Sequence, residues 1–209
     1  GEPLTDAEME AARQSAVDEF EKILQMNGPE NAHQLHHELG DIMYKYVSVE
    51  RDNNGLRECV EELKKILKRW ENIGITDRGH WANQEAMFVR QLRNMIIYAM
   101  AITQSALQRD ESRGAHAKII LEKDWNDMAP DLKERVTKKH GEFHFDKETG
   151  RATDDKGDLV FMERDDTKFM RTTIVKFDQE NEMPVVSYRE FEHSLIKPRL
   201  RNYAVAKKE

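Results

Sequence analysis

The sequence predicts a mainly α-helical fold: an up-and-down helical bundle of three to four long helices, followed by a small β-hairpin region and an extended carboxy-terminal arm. Apolar residues recur at helical spacing through the first half of the chain, and short stops rich in Asn, Gly and Pro separate the repeats. After residue 110 this spacing gives way to short β-favouring runs. Because short loops favour antiparallel neighbours, an up-and-down bundle is the simplest arrangement of the helices.

The first two helices have clear start and stop signals. Thr5 followed by Glu8 forms a capping box, the side-chain pair that begins many helices. Residues 27–29, Asn-Gly-Pro, end the first helix, and the second begins almost at once. We expect each helix to be half-buried along one apolar face, formed by Met9, Ala12, Ala16 and Ile23 on the first and by Leu35, Leu39, Ile42 and Tyr46 on the second.

The third and fourth helices carry longer apolar stripes. The third follows the Asn-Asn-Gly run at residues 53–55, and its stripe comprises Leu56, Val60, Leu63, Leu67 and Trp70. The fourth extends from about Trp81 to about Arg109, and we expect it to be the central helix of the bundle. Its stripe comprises Phe88, Leu92, Met95, Ala99, Ile102 and Ala106, widened by Val89, Ile96 and Met100.

Residues 118–163 interrupt the helical pattern. This segment is charged and irregular, so we expect an insertion that forms a surface excursion. Residues 143–145 and 159–162 favour β-structure on either side of the turn-rich run 146–157. The segment is therefore predicted to contain a short β-hairpin.

The rest of the chain predicts a second hairpin and an arm. Residues 171–177 and 184–188 favour strands on either side of a turn. Residues 194–203 contain a proline and show no periodicity, which predicts an extended arm lying on another surface. The chain thus divides into a helical bundle over 1–117, the insertion, and a hairpin with its arm over 164–209, all packed as one domain.

The composition excludes several classes of function. The 33 basic and 40 acidic residues are interleaved and give a net charge of -7, so we expect no nucleic-acid partner. Cys59 is the only cysteine, which excludes an internal disulfide or a multi-thiolate metal centre within this chain and fits a reducing compartment. The longest apolar run, residues 95–102, is far shorter than the roughly 20 residues that span a bilayer.

Charged residues cluster just after the fourth helix. Gly114 suits the left-handed conformation that terminates a helix, and Arg113 beside it offers a planar fork of donors. Two interpretations are open. Glu111 and Arg113 pair locally and stabilise the turn, or the Arg113 guanidinium points outward and docks on a carboxylate of another domain. His116 is most simply a structural histidine of the same turn.

Several short motifs occur in a characteristic order along the chain. They are Asn83-Gln84, Arg90-Gln91-Leu92, Asn94-Met95, Glu111 to His116, Glu163 to Asp166 and Ser194 to Arg199, with Glu30 to Ala32, Leu35-His36 and Glu38 to Gly40 upstream. In this order the chain resembles, over nearly its whole length, the carboxy-terminal domain of succinate dehydrogenase and fumarate reductase flavoproteins. The family usually has a much shorter loop in place of residues 118–163.

The resemblance implies a subunit that interconverts succinate and fumarate through FAD. In the family, the flavin-binding and capping domains supply the flavin site and the catalytic histidine and arginine side chains. This chain has no Gly-x-Gly-x-x-Gly loop after a strand, the pattern that binds a dinucleotide. We therefore expect no cofactor in this chain, FAD in the full-length subunit, and no activity of this fragment alone.

The resemblance also implies partners. We expect the domain to contact its own flavin-binding domain and the iron-sulfur subunit, and membrane anchor subunits indirectly, in a cytoplasmic complex peripheral to the inner membrane. The face that meets these neighbours should leave a large apolar patch on the isolated fragment, and such a patch can pair two copies as a dimer. The expected interdomain motif comprises Asn83, Arg90, Glu111, Ser112, Arg113, Gly114, His116, Arg164, Asp165 and Asp166.

Two other functions compete with this one. The first is a free-standing helical protein–protein interaction module. A reading frame upstream that encodes a flavin-binding loop would exclude this alternative and favour a domain of a larger flavoprotein. The second is a metal protein, because His33 and His37 lie four residues apart beside His36 and Glu38, as two ligands on one helix face would. A metal-binding bundle needs a matching Glu-x-x-His motif on another helix, so a solvated histidine cluster is the simpler interpretation.

Overall fold

The computed structural model describes residues 3–190, 192, 194 and 195. Helices form most of the regular structure in this part, and three two-stranded sheets complete it. The predicted class, a helical domain with small hairpins, is confirmed, and the up-and-down order of the helices stays a prediction. The arm predicted over 194–203 lies almost entirely outside the described residues. Among the described helices, none is both long and apolar enough to cross a membrane.

α1 (Asp6–Leu24) begins at the predicted capping box. The Thr5 backbone N donates to Glu8 Oε2 at 2.7 Å, and the Glu8 backbone N donates to Thr5 Oγ1 at 3.3 Å. The expected half-buried face is wrong for most of this helix, because Met9 is 50% exposed and burial occurs only at the last two positions. Only the end of α1 therefore joins the core.

α2 (Ala32–Val47) and α3 (Asn53–Trp70) form the framework of the main core. Asn31 Oδ1 caps α2 by accepting from a backbone amide at 2.9 Å, and Asp52 Oδ1 caps α3 in the same way at 2.8 Å. The predicted apolar stripes of both helices pack inward. The buried apolar positions are Ala32, Leu35, Leu39 and Val47 on α2 and Leu56, Cys59, Val60, Leu63, Ile66 and Leu67 on α3.

α4 (Gln84–Leu107) packs against both α2 and α3. The predicted stripe is wrong at one edge, because Met95 and Ile102 are 38% and 37% exposed and Phe88 is only partly buried. The buried stripe is rotated toward Val89, Ile96 and Met100, the residues expected only to widen it, because α2 and α3 pack on that side. The buried positions are Ala86, Val89, Leu92, Ile96, Ala99, Met100, Thr103 and Ala106.

The loop between α1 and α2 lies directly on the loop between α3 and α4. The Gly28 N donates to Ile73 O at 3.2 Å, and the Gly74 N donates to Glu30 O at 3.0 Å. A Cβ on Gly28 would lie 1.9 Å from the Asn72 carbonyl oxygen, so only glycine permits this approach. The predicted stop after the first helix is therefore also a contact between two loops.

Residues 118–163 build a small second core, so the predicted irregular surface excursion is wrong. α5 (Glu122–Asp127) and α6 (Pro130–His140) are too short and too charged to show an apolar period in the sequence. The predicted first strand is present as β3 (Phe143–Phe145), and it pairs antiparallel with β4 (Ala152–Asp154). The small core comprises Ile120, Val136, Ala152, Val160 and Met162.

Residues 159–162 join the small core to the bundle. The strand predicted there is reduced to isolated bridges, one to β4 and one to the segment that follows β2. β1 (Glu50–Arg51) pairs in parallel with β2 (Ala117–Lys118), and the Ile120 N donates to Val160 O at 3.0 Å. Together these short strand pairings link the start of α3, the small core and the segment after α4.

The second predicted hairpin is confirmed. β5 (Thr172–Asp178) and β6 (Met183–Arg189) pair antiparallel, each end within one residue of the predicted bounds. The Asp178 carboxylate shapes the turn by accepting from a backbone amide at 2.9 Å. The hairpin packs on α4, where Phe177 contacts the main core, and the one-turn helix α7 (Asp166–Phe169) precedes it.

Candidate functional site

The predicted motif lies in the turn that follows α4. Since α4 ends at Leu107, Gly114 does not terminate the helix as the sequence suggests. Gly114 takes the left-handed conformation, with φ of +61°, inside a tight turn further along. The Arg113 N donates to His116 O at 2.9 Å, and the His116 N donates to Arg113 O at 3.1 Å. The chain thus folds back toward the end of α4.

Glu111 lies at the centre of the motif. Its side chain is fully buried, which is costly for a carboxylate unless it is paired. Arg109 Nε donates to it at 2.8 Å, and Arg113 donates to both of its oxygens, at 2.8 and 2.9 Å. The backbone N of Asp165 donates to it at 2.9 Å. Two guanidinium groups and one amide therefore balance this buried charge.

The Arg113 guanidinium is paired within the domain, although its side chain is 32% exposed. Besides Glu111 it reaches Asp166 Oδ1 at 2.8 Å, and Arg164 Nη2 donates to the other oxygen of Asp166 at 2.5 Å. The hydrogen bond to Glu111 raises the pKa of Arg113 above its usual value. Burial acts to raise the pKa of Asp166, but the two arginines outweigh it and lower that pKa. Of the two interpretations, local pairing describes the structure.

Arg109 connects the motif to the second hairpin. Its Nη1 donates to Thr173 Oγ1 at 2.9 Å, and its Nη2 donates to Phe169 O at 2.6 Å. Its guanidinium carbon also lies 5.3 Å from the centre of the Phe169 ring, within cation–π range. One side chain thus joins the end of α4 to α7 and β5.

Lys118 belongs to the same site, although no local pattern in the sequence marks it. Its side chain is fully buried, and Nζ donates to the carbonyl oxygens of Ala106 and Leu107 at 2.9 Å and of Arg109 at 3.2 Å. The end of a helix leaves such carbonyls without intrahelical partners and favours a cation. Asp110 Oδ1 accepts from Nζ at 2.9 Å. Burial lowers the pKa of Lys118, against the opposite effect of Asp110.

His116 is held as a neutral ring. Its Nδ1 lies 2.8 Å from Arg51 Nη1, which can only donate, so we assign Nδ1 as the acceptor. Nε2 then carries the hydrogen and donates to Arg109 O at 3.0 Å. Burial lowers the pKa of His116, which agrees with the neutral form. Ser112 completes the turn, since its Oγ accepts from the Lys118 N at 3.0 Å.

Two of the predicted site residues lie elsewhere. Asn83 caps the start of α4, because its Oδ1 accepts from the Ala86 N at 2.8 Å and its Nδ2 donates to Asp77 O at 2.7 Å. Arg90 pairs with Glu19 of α1 at 3.3 Å. The Glu111 network lies beyond the other end of α4, so the structure does not bring these two residues to it.

The histidine cluster on α2 packs on an aromatic ring. His33 stacks on Phe88 at 4.5 Å between ring centres, and His36 meets the same ring edge-on at 5.7 Å. Glu38 pairs with Arg69. Within the described ranges, no three His, Cys, Asp or Glu side chains are grouped as a metal site requires. The metal-protein alternative has no support in this part of the chain.

The chain is similar in sequence to known proteins over most of its length. A family model for the carboxy-terminal region of fumarate reductase flavoproteins matches residues 36–203. The succinate dehydrogenase flavoprotein subunit of Bacillus subtilis (strain 168) is 31% identical over 206 residues, which is 99% of this chain and 28% of that relative. The fumarate reductase flavoprotein subunit of Haemophilus influenzae is 26% identical over 120 residues, 54% of this chain and 20% of that relative.

Solved structures share the fold. A mutated form of E. coli quinol fumarate reductase FrdA matches with a TM-score of 0.69 at 18% identity, covering 95% of this chain and 27% of that one. Adenylylsulfate reductase from Archaeoglobus fulgidus matches with a TM-score of 0.55 at 15% identity, covering 96% of this chain and 27% of that one. At these identities the likeness shows the fold alone.

Proposed function

This chain belongs to the family of carboxy-terminal domains of succinate dehydrogenase and fumarate reductase flavoproteins, and we propose that it acts as that domain in a flavin-dependent oxidoreductase. In this proposal the whole subunit holds FAD and interconverts succinate and fumarate. The chain spans 28% of its Bacillus subtilis relative, so we assign the flavin site to the remaining portion. The role of this chain is to support packing within the subunit, without taking part in catalysis.

The observation that carries this proposal is the saturation of the Glu111 network. A catalytic acid or base needs a proton site within reach of the substrate. Glu111 is fully buried, and its oxygens accept from Arg109, Arg113 and Asp165. His116 is likewise engaged at both ring nitrogens. These side chains hold parts of the domain together, which is what a packing role requires.

We place the contact with the flavin-binding portion at the outer edge of this network. The side chains of Arg113, Arg164 and Asp166 are 32%, 29% and 38% exposed, so they are within reach of a neighbouring domain. Together with Arg109 and Glu111, they form a cluster in which three arginines face two carboxylates. A carboxylate on the neighbouring domain would offset this excess positive charge.

The wider assembly follows from the same proposal. The domain contacts its flavin-binding portion and the iron-sulfur subunit, and it meets membrane anchor subunits only indirectly. The complex then lies in the cytoplasm, peripheral to the inner membrane. The support is the similarity of this chain to succinate dehydrogenase and fumarate reductase flavoprotein subunits.

An optical and enzymatic comparison tests the proposed function. We expect the purified chain to be colourless and inactive in succinate-dependent dye reduction, whereas the full-length subunit shows a flavin absorption band and reduces the dye. A version of the subunit that lacks this domain should be unstable and should lose its flavin. A flavin band in the isolated chain, dye reduction by it, or full activity of the shortened subunit contradicts the proposal.

A further inference from the structure

α4 presents an outward surface without charge. From Asn94 to Leu107 the helix has no charged residue, although 35% of the whole chain is charged. Tyr98 is 69% exposed, and Met87, Met95 and Ile102 are 46%, 38% and 37% exposed. Their spacing places them on one side of the helix. We call this surface the outer face of α4, formed by Met87, Gln91, Asn94, Met95, Tyr98 and Ile102.

A groove runs beside this outer face, between α2 and α4. Its volume is about 390 Å³, and apolar side chains form much of its lining. The groove is open beside Gly40 of α2, where a Cβ would meet no atom within 4 Å. A partner can therefore insert bulky apolar side chains next to the outer face. The groove is lined by Leu39, Gly40, Met43, Met95, Tyr98, Ala99 and Ile102, and at its α2 side also by the polar residues His36, His37 and Asp41.

The outward side of α3 shows the contrast. It pairs Glu61 with Lys64 at 2.8 Å and Glu62 with Lys65 at 2.7 Å, as a helix surface in contact with water commonly does. Single exposed apolar residues are ordinary on a protein surface. The outer face of α4, by contrast, is continuous and uncharged. At a rise of about 1.5 Å per residue it is about 22 Å long. A face of this kind indicates a contact with another protein surface.

We infer that the outer face of α4 and its groove form a second, apolar surface on which the flavin-binding portion of the same subunit docks, in addition to the charged contact proposed above at the outer edge of the Glu111 network. The inference rests on the proposed function and specifies which side of the domain is covered. This chain spans 28% of its Bacillus subtilis relative, so a subunit of that size connects a much longer portion to the domain. Tethering raises the local concentration of that portion above that of any separate chain.

The chemistry of the face suits a permanent partner. Interfaces that stay buried are more apolar than transient ones, and aromatic residues and methionine are enriched in them. Tyr98 and Met95 fit the centre of such an interface, and the amides of Gln91 and Asn94 offer hydrogen bonds without the desolvation cost of a charge. The part of the flavin-binding portion that docks on this face is therefore mainly apolar, with a bulky side chain in the groove.

Cysteine labelling tests this inference. Cys59 is the only cysteine and is fully buried, so the unmodified chain gives a low background. Tyr98→Cys and Met95→Cys are introduced singly, in this 209-residue chain and in the full-length flavoprotein subunit, and the rates of labelling by iodoacetamide are compared. The matched control is Lys64→Cys on the charged side of α3, where the native side chain is 43% exposed.

We expect both α4 variants to be labelled about tenfold or more slowly in the subunit than in the chain, and the α3 control to be labelled equally in both. Equal labelling of the Tyr98→Cys variant in the two proteins overturns the inference. If that subunit keeps its flavin and activity, the proposed function stands and only this surface is misassigned. Two other results also overturn the inference. If the α4 variants are protected from labelling only when the iron-sulfur subunit is present, that subunit covers the face. If they are protected in the 209-residue chain alone as it dimerises, a second copy of the chain covers it.

Discussion

Single side chains show how this protein accommodates buried charge. Glu111 and Lys118 are both fully buried, and each would cost several kcal/mol without partners. Glu111 is balanced by two guanidinium groups, and Lys118 by three carbonyl oxygens and the carboxylate of Asp110. Such fully paired groups add little net stability, but the removal of one partner is expensive.

Arg113→Lys tests the local role of the network. Lysine is a point donor that cannot copy the two-pronged contact of arginine with Glu111, so we expect the chain to lose about 1.5–3 kcal/mol of unfolding free energy in urea melts. Arg135→Lys is the matched control, because Arg135 is half exposed and lies 3.6 Å from Glu163; it should change stability by less than about 1 kcal/mol. Equal, small losses for both variants would show that Arg113 acts only at a docking surface.

His116 predicts a pH dependence of stability. Burial lowers its pKa in the folded protein below the usual 6.5, so the unfolded chain takes up the proton first as the pH falls. This contribution to stability is complete above pH 6.5 and is lost as the pH falls from there toward the lower folded pKa. We expect His116→Gln, whose amide can still donate and accept, to flatten the fall in unfolding free energy below pH 6.5.

The control for this pH series is His144→Gln, because His144 is exposed on β3. Urea melts at several pH values across this range should leave its slope close to that of the unmodified chain. A slope that His116→Gln does not alter would show that His116 is not the neutral, buried ring described above.

Among the elements, α4 depends on a partner from outside its own sequence. Lys118 lies well beyond the helix and satisfies carbonyls of its last turn. We expect Lys118→Met to cost about 3 kcal/mol, since methionine fills the space but leaves these carbonyls without their donor and Asp110 without its cationic partner. Chemical denaturation measures the loss. The control is Lys123→Met, at an exposed position of α5, which should change stability by no more than about 0.5 kcal/mol. An equally small change for Lys118→Met would contradict the proposed role of Lys118.

At the scale of the whole molecule, the described residues form two hydrophobic cores. The main core lies in the helical bundle, and the smaller one lies within residues 118–163. Asp52 joins them, because its Oδ1 caps α3 at 2.8 Å while its Oδ2 accepts from Arg151 Nε at 2.9 Å. The predicted single domain therefore requires the two cores to unfold together.

Asp52→Ala tests that coupling. In the unmodified chain we expect the amides of β4 and α4 to be protected from hydrogen exchange by one shared unfolding event. In the variant, β4 should open first, since the buried link to Arg151 is lost. Asn31→Ala removes only the cap of α2 and should cost about 1 kcal/mol without separating the two sets of amides. Separate opening in the unmodified chain would mean that the small core is an independent unit.

Local residue patterns along the chain specify the local structure of this protein. Capping at Thr5, the stop at residues 27–29, the periodic stripes of α2 and α3 and the turn after β5 depend on residues close together in the chain, so local patterns reveal them. The motif residues are also visible there, and their order carries the family resemblance. The second hairpin was predicted within one residue at each end for the same reason.

Which surfaces meet depends on the packing of elements that are distant along the chain. Periodicity shows that α4 has an apolar stripe, but packing against α2 and α3 decides that Ile96 is buried and Met95 exposed. Likewise, Arg113 pairs with the nearby Glu111, but its further contact with Asp166, distant in sequence, arises only in the folded chain. Lys118 resembles any surface lysine until the end of α4 is placed beside it. Burial and pairing depend on neighbours that are remote along the chain, and local residue patterns do not contain that information.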